Sequence, residues 1–290
     1  MPSFRSAATQ AGHAMKKLQG TTLKSVGTVR NYEQSLTRIA KWCKENKIEL
    51  KNITVEQTKE YLEQRAFDVG QKTLNMERQA AQVMLQQNGK LEPEDKLAMV
   101  SSKKTEALNS RSYTPEQVSM IADSQNERNS LSTEIAHAAG LRAHELNTLL
   151  RIEERSADER PALDTKFEGR EGVKYTVVGK GGLVREVVLP SALAERLEDR
   201  RLATSKQVTD RGINYQTKYD LAAGKNWSNS FSRAATRSLG WSEGAHGVRH
   251  SYAQERMSEL KADMPYEKAL ETVSQEMGHF RSDITEVYLR

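Results

Sequence analysis

Val173-Lys-Tyr-Thr-Val-Val-Gly-Lys-Gly-Gly-Leu-Val-Arg-Glu-Val-Val-Leu189 is the only stretch of the sequence with a convincing β pattern. Two runs rich in β-branched residues, 173–178 and 184–189, flank Gly179-Lys180-Gly181-Gly182-Leu183, and such a pair around a glycine-rich turn reads as a hairpin. The segment around Leu163–Phe167 is a candidate third strand. Pro190-Ser191 ends the hairpin and opens a helix expected to carry Leu193, Leu197 and Leu202. The remainder to Arg290 reads as helices with loops.

Upstream of the hairpin the signals are helical. Thr114, Pro115 and Gln117 form a capping box with proline at the first helical position, ahead of Val118 and Ile121. Residues 88–112 are polar and contain a Gly, a Pro and a Ser-Ser-Lys-Lys run, the composition of a linker. Before it, Thr28 is a candidate cap for a helix with Tyr32, Leu36, Ile39, Ala40 and Cys43 on one stripe. Thr54 and Gln57 form a second capping box, and a third helical run covers Lys72–Gln87. Residues 1–20 carry no sustained period and read as a loose basic arm. The expected organisation is therefore an arm over 1–20, an all-helical domain over 21–110 and a second domain over 113–290, mainly α with a small antiparallel β-sheet.

Composition bounds the function. The chain has 290 residues, 37% hydrophobic and 29% charged, a balance able to build a core. It contains no run near the ~18 apolar residues of a membrane span and no apolar signal region, and its single cysteine excludes an internal disulfide framework. A reducing, cytoplasmic setting is the expectation. The net charge of +5 is uneven: residues 1–110 hold 18 basic and 12 acidic side chains, residues 111–290 hold 26 and 27. A basic first third fits a polyanionic partner, and equally a solvated helical surface.

Four clusters carry chemistry. Arg142 and Glu145 lie three apart in Gly140-Leu-Arg-Ala-His-Glu-Leu146; Lys180 sits in the hairpin turn; His246 and Arg249 lie about one helical turn apart; Gly278-His279 precedes Tyr288 by nine residues. Taken singly, each reads more simply as a surface ion pair, a solvated lysine or a packed aromatic ring. Together they suit one reaction. Two guanidinium forks can hold the non-bridging oxygens of a phosphodiester, a phenol can attack phosphorus, a histidine can take its proton, and a lysine can protonate the departing alkoxide. No metal or cofactor is signalled, since paired carboxylates and HExxH patterns are absent from the sequence.

Over about Tyr113–Arg290 the sequence resembles the tyrosine recombinase (phage integrase) family. GLRAHEL resembles its first arginine box, VVGKGGLVREVVLP its lysine hairpin, AHGVRHSYA its His-x-x-Arg-His box, and MGHFRSDITEVY its last box. The helical first domain is similar to the family's core-binding domain in type and position. The resemblance implies Tyr288 as nucleophile, Arg142 and Arg249 on the scissile phosphate, Lys180 as general acid, His246 as acid/base and His279 as a phosphate hydrogen-bonding group. It gives Glu145 the task of orienting Arg142 or supporting the local fold. His250 is expected to pack or hydrogen-bond nearby, and His13, His137 and His144 to be structural or at the surface. The sequence runs two residues past Tyr288, where many relatives carry a longer tail that docks in a neighbouring protomer. The implied partners are double-stranded DNA, three further copies of the chain on two duplexes, and accessory DNA-bending or directionality proteins. Integration or excision of a mobile element is the leading role. A non-catalytic DNA-binding protein of this fold, a supercoil-relaxing enzyme of the same chemistry and a host chromosome-dimer resolving recombinase remain open as alternatives.

Overall fold

A computed structural model describes residues 5–19, 23, 26–105, 109–279 and 281–290. The chain divides into two compact units, Met1–Ala107 and Leu108–Arg290.

Among the described residues, the first unit is built on the α-helices α1 (Ala7–Leu18), α2 (Val26–Glu45), α3 (Val55–Arg65) and α4 (Gln71–Gln87). The expected loose arm is instead largely helix α1. Ser6 caps it by accepting from the Thr9 amide, and Ala11, Met15 and Leu18 bury their side chains in the unit's core with Leu36, Ile39 and Leu85. Their 4- and 3-residue spacing makes a short apolar stripe, and packing against α2 supplies the stability that so brief a helix lacks alone. Helix α2 begins at Val26, so Thr28 lies inside it rather than capping it. The Thr54–Gln57 capping box forms as expected, and α4 starts one residue before the expected run.

The polar stretch after α4 is not a free tether over its described part. Leu97 is buried, and its carbonyl accepts from Arg78 Nη1 at 2.9 Å. Gln86 Nε2 donates to the carbonyls of Pro93 and Asp95. The Gln71 side chain accepts from the Ser102 amide at 2.8 Å. Long polar side chains on α4 thus satisfy an extended backbone that has no ladder partner.

The second unit opens with α5 (Pro115–Asp123), capped by Thr114 and Gln117 as expected, and α6 (Glu127–Ala138). Strands β1 (Leu150–Arg151), β2 (Val173–Val178) and β3 (Val184–Leu189) form an antiparallel sheet in that order, with Val178 opposite Val184 at the hairpin mouth. The third strand is therefore β1. Leu163–Phe167 forms turns, its Leu163 amide donating to the Gln275 side chain and its Phe167 amide to Glu276 Oε1, so side chains take the bonds a ladder would have used.

Helix α7 (Ser191–Glu198) stops before Leu202, which lies in β4 (Arg201–Asp210), paired with β5 (Ile213–Tyr219). This second hairpin, in a region expected to be helical, turns through Arg211 and Gly212, both at positive φ, as a two-residue hairpin loop requires. Its strands are mostly exposed and polar, which hid the alternation. Helices α8 (Gly224–Leu239), α9 (Gly247–Leu260), α10 (Tyr266–Glu276) and α11 (Asp283–Glu286) complete the unit. The main core gathers Ile121, Ile135, Tyr175, Val187, Trp227 and Phe231, while Tyr252, Met257, Leu270 and Val273 form a smaller cluster between α9 and α10. Among the described residues, no helix is long and apolar enough to cross a membrane.

Candidate active site

Glu145 anchors the site. It is fully buried in the turn that follows Gly140, and its carboxylate takes three bonds: Oε1 from Arg142 Nη1 at 2.7 Å, and Oε2 from the Arg142 amide and from Arg185 Nη2, both at 2.8 Å. Burial alone would raise its pKa, but Arg185, Arg249 and Arg142 outweigh that and hold the carboxyl well below the usual range. Glu145 therefore holds Arg142 by both backbone and side chain from the head of a 3₁₀ turn, Glu145–Thr148. Gly140 has a positive φ, and a side chain there would strike the Tyr252 ring.

Arg185 is the residue that motif reading missed. It projects from β3, is buried, and spends its second terminal nitrogen on the Glu276 carbonyl at 2.8 Å. Its guanidinium thereby joins the hairpin to both the Glu145 carboxylate and the end of α10. An arginine in a strand one residue from a glutamate carried no sequence signal separating it from an exposed cross-strand ion.

Arg249, in the first turn of α9, is completely buried. It donates to the Gly140 carbonyl, to the Met277 carbonyl at 2.6 Å and to His279 Nε2 at 3.1 Å. Its Nε is buried and has no partner among the described residues. Burial, then the neighbouring Arg142, lowers its pKa to about 10, which still leaves it charged at neutral pH. Since Arg249 can only donate, His279 Nε2 accepts, which assigns the proton to Nδ1, 2.7 Å from Thr285 Oγ1. Burial and the cations Arg249, Arg142 and Arg185 press His279 down to about 3, so the ring is neutral.

Tyr288 is half-buried just past α11, inside a ring of these groups. Its ring centre lies 4.7 Å from that of His250, 5.3 Å from His279, 5.5 Å from His246 and 5.5 Å from the Arg249 guanidinium carbon. His246 is exposed at the surface, yet the protein crowded around its ring, then Arg249, lowers its pKa to about 4. His250 is buried, with Nδ1 unpartnered, and burial followed by Arg111 lowers it to about 4.

Lys180 is the one candidate outside this cluster of contacts. It is exposed in the hairpin turn, where Gly181 and Gly182 both take positive φ. The turn does lie alongside Arg142: a side chain on Gly179 would sit 3.4 Å from Glu145 Oε1 and 3.9 Å from Arg142 Nη1. Of the other histidines, His137 pairs with Glu255 at 2.9 Å, His144 lies 6.3 Å from the Tyr215 ring, and His13 is exposed beside Arg5.

Chemically, three guanidinium groups against one carboxylate leave the site positive, and the Nε of Arg249 is a donor with no acceptor among the described residues. Such a site suits an anion with several oxygens, next to an aromatic hydroxyl and neutral imidazoles.

Comparison with known proteins agrees with this architecture. Residues 15–86 match the phage integrase N-terminal SAM-like domain. No curated protein matches the chain by sequence. The chain is similar in structure to a lambda integrase tetramer bound to a Holliday junction, at 14% identity and TM-score 0.60, covering 100% of this chain and 78% of that one. It is similar to XerH site-specific recombinase in a post-cleavage complex with a palindromic difH substrate, at 15% identity and TM-score 0.56, covering 98% and 90%. It is also similar to the Tn1549 transposon integrase in complex with transposon right end DNA, at 14% identity and TM-score 0.56, covering 99% and 95%. The chain thus carries a phage-integrase SAM-like domain at its amino-terminal end and has the fold of the tyrosine recombinases.

Proposed function

We propose that the protein is a site-specific DNA recombinase that breaks and rejoins DNA through a covalent 3′-phosphotyrosyl link. One observation carries the reading: Arg142, His246, Arg249, His279 and Tyr288, spread over nearly 150 residues of sequence, converge on one positively charged site. A cluster of this composition is hard to explain as a stabilising device, because its buried cations outnumber their carboxylate.

In this reading Arg142 and Arg249 hold the non-bridging oxygens of the scissile phosphate, and donors aimed at the developing charge contribute roughly 2.7–4 kcal/mol each. The phenolic oxygen of Tyr288 attacks phosphorus, the phosphorus–O5′ bond breaks, and His246, neutral at physiological pH, accepts the phenol proton. Lys180 enters from its turn to protonate the departing 5′-oxygen. A 5′-hydroxyl from a second DNA reverses the sequence and releases the tyrosine, so the bond energy is conserved and no nucleotide cofactor is consumed. His279 hydrogen-bonds the phosphate only when Nε2 both leaves Arg249 and takes up the proton, since the phosphate oxygens can only accept. Double-stranded DNA is the substrate, the basic first unit supplies sequence-independent affinity through phosphates, and four protomers on two duplexes form the assembly. The likeness to the lambda and Tn1549 integrases supports a role in moving a genetic element.

The test uses duplex DNA bearing the target site with a nick beside the scissile phosphate. The wild-type chain accumulates a covalent adduct on a denaturing gel. Tyr288→Phe keeps the ring's packing and DNA binding but forms none. Continued adduct formation by that variant would sink the reading.

A further inference from the structure

His246, the N-cap residue of α9, and His250 and Gln254 within the helix follow at four-residue intervals, and residues four apart lie one above another on a helix. All three face the Tyr288 segment. The first two meet the tyrosine ring. His250 also reaches the Tyr288 backbone, and Gln254 grips it further along: Nε2 donates to the Tyr288 carbonyl at 3.1 Å and to the Arg290 carbonyl at 2.8 Å. Its other end accepts from Ser112 Oγ at 2.8 Å. One amide therefore ties the tyrosine's own peptide to the segment that leads into α5. On the other side, the Tyr288 amide is held by the Thr285 carbonyl at 2.9 Å, so Gln254 completes a grip on both faces of the residue's backbone.

We propose that Gln254 is a positioning residue that clasps the Tyr288 backbone and so fixes the phenol's line of approach, an inference that rests on the reading of Tyr288 as nucleophile. The chemistry requires such a device. Tyr288 follows a one-turn helix, α11, whose four residues bury only Thr285 and so give it little packing of its own. An in-line attack tolerates little error, since a 1 Å misplacement can cost about 100-fold in rate. A glutamine amide is suited to the position because it donates and accepts at once. Leucine would fill similar volume without either function, and lysine would restore only the donor.

The experiment measures single-turnover adduct formation on the nicked duplex at saturating DNA for the full chain, together with DNA affinity. A 3-fluorotyrosine placed site-specifically at position 288 reports the ring's environment by ¹⁹F resonance. Gln254→Leu is expected to slow adduct formation about tenfold, to leave DNA affinity unchanged, and to shift or broaden the fluorine signal. Gln254→Lys should return the rate to within about threefold of wild type. Wild-type rate and an unaltered fluorine signal in Gln254→Leu would overturn the clasp. So would a slowdown accompanied by lost DNA affinity and no recovery in Gln254→Lys, the pattern of general structural damage. The fluorine readout does not depend on catalysis. Adduct formation by Tyr288→Phe would discard the nucleophile while leaving the clasp separately measurable.

Discussion

Arg249 and Lys180 carry the same charge and stand at opposite extremes. Arg249 is wholly buried, and its guanidinium bonds two carbonyls and a histidine. Lys180 is exposed in a turn, directly ahead of two glycines with positive φ. Under the proposed function, the difference separates two kinds of catalytic group. A group that stabilises charge is effective when it is already fixed, because no reorganisation is then needed as the charge develops. A group that delivers a proton must reach an atom that arrives with the substrate, and a glycine-flanked turn permits that motion.

The sharpest way to break this comparison is Arg249→Lys. Lysine keeps the charge but cannot span the Gly140 and Met277 carbonyls and His279 together. The expected outcome is a destabilisation of about 3–5 kcal/mol, read by urea denaturation, with cleavage reduced by about 1,000-fold. A variant of near-normal stability and rate would show that Arg249 supplies only bulk charge.

Arg142→Lys tests the intermediate case. Arg142 is partly exposed and leans on Glu145, which also keeps Arg185. Lysine can still reach one carboxylate oxygen, so stability should fall by only about 1 kcal/mol. Cleavage should fall by about 100-fold, because the fork that the proposed function places on the phosphate is lost. Equal losses of stability in the Arg142 and Arg249 variants would erase the distinction between them.

For Lys180→Ala the fold should not respond, with any change inside about 0.5 kcal/mol, while cleavage of ordinary DNA slows by about 100-fold. A 5′-bridging sulfur is a far better leaving group and needs no proton, so that substrate should restore most of the rate in this variant and much less in Arg142→Ala. Equal impairment on both substrates would make Lys180 a phosphate-binding residue and move the proton donor elsewhere, with His246 next in line.

Stability should also depend on pH. His279 and His250 are held near 3 and 4 in the fold by burial first and arginine charge second, against about 6.5 when unfolded. Between those values the unfolded chain binds more protons. The stability they contribute is thus complete above about pH 6.5 and drains away as the pH falls toward 4. Glu145, whose folded pKa is also depressed, adds a loss of the same sign below about pH 4. Denaturation midpoints measured from pH 8 to 4 should fall, and His279→Gln should flatten the slope. A flat wild-type profile between pH 6.5 and 4 would remove the buried neutral histidines from the account.

Local signals in the chain were enough for what depends on neighbours in sequence. The two capping boxes, the β2–β3 hairpin and the largely helical character follow from residue types at fixed short offsets, and all are present. The order of the arginine, lysine, histidine and tyrosine boxes was equally legible, because their residue types and spacings are one-dimensional. Tertiary packing decided the rest. Residues 7–18 have too short an apolar stripe to declare a helix, and they become one against α2. The β4–β5 strands face solvent on most positions, so no alternation marks them. Arg185 acquires its place only when β3 meets the Glu145 turn, across 40 residues of sequence. Gln254 meets Tyr288 across 34. Hydrogen bonds of that reach depend on which surfaces come to lie together, a property no window of the sequence contains.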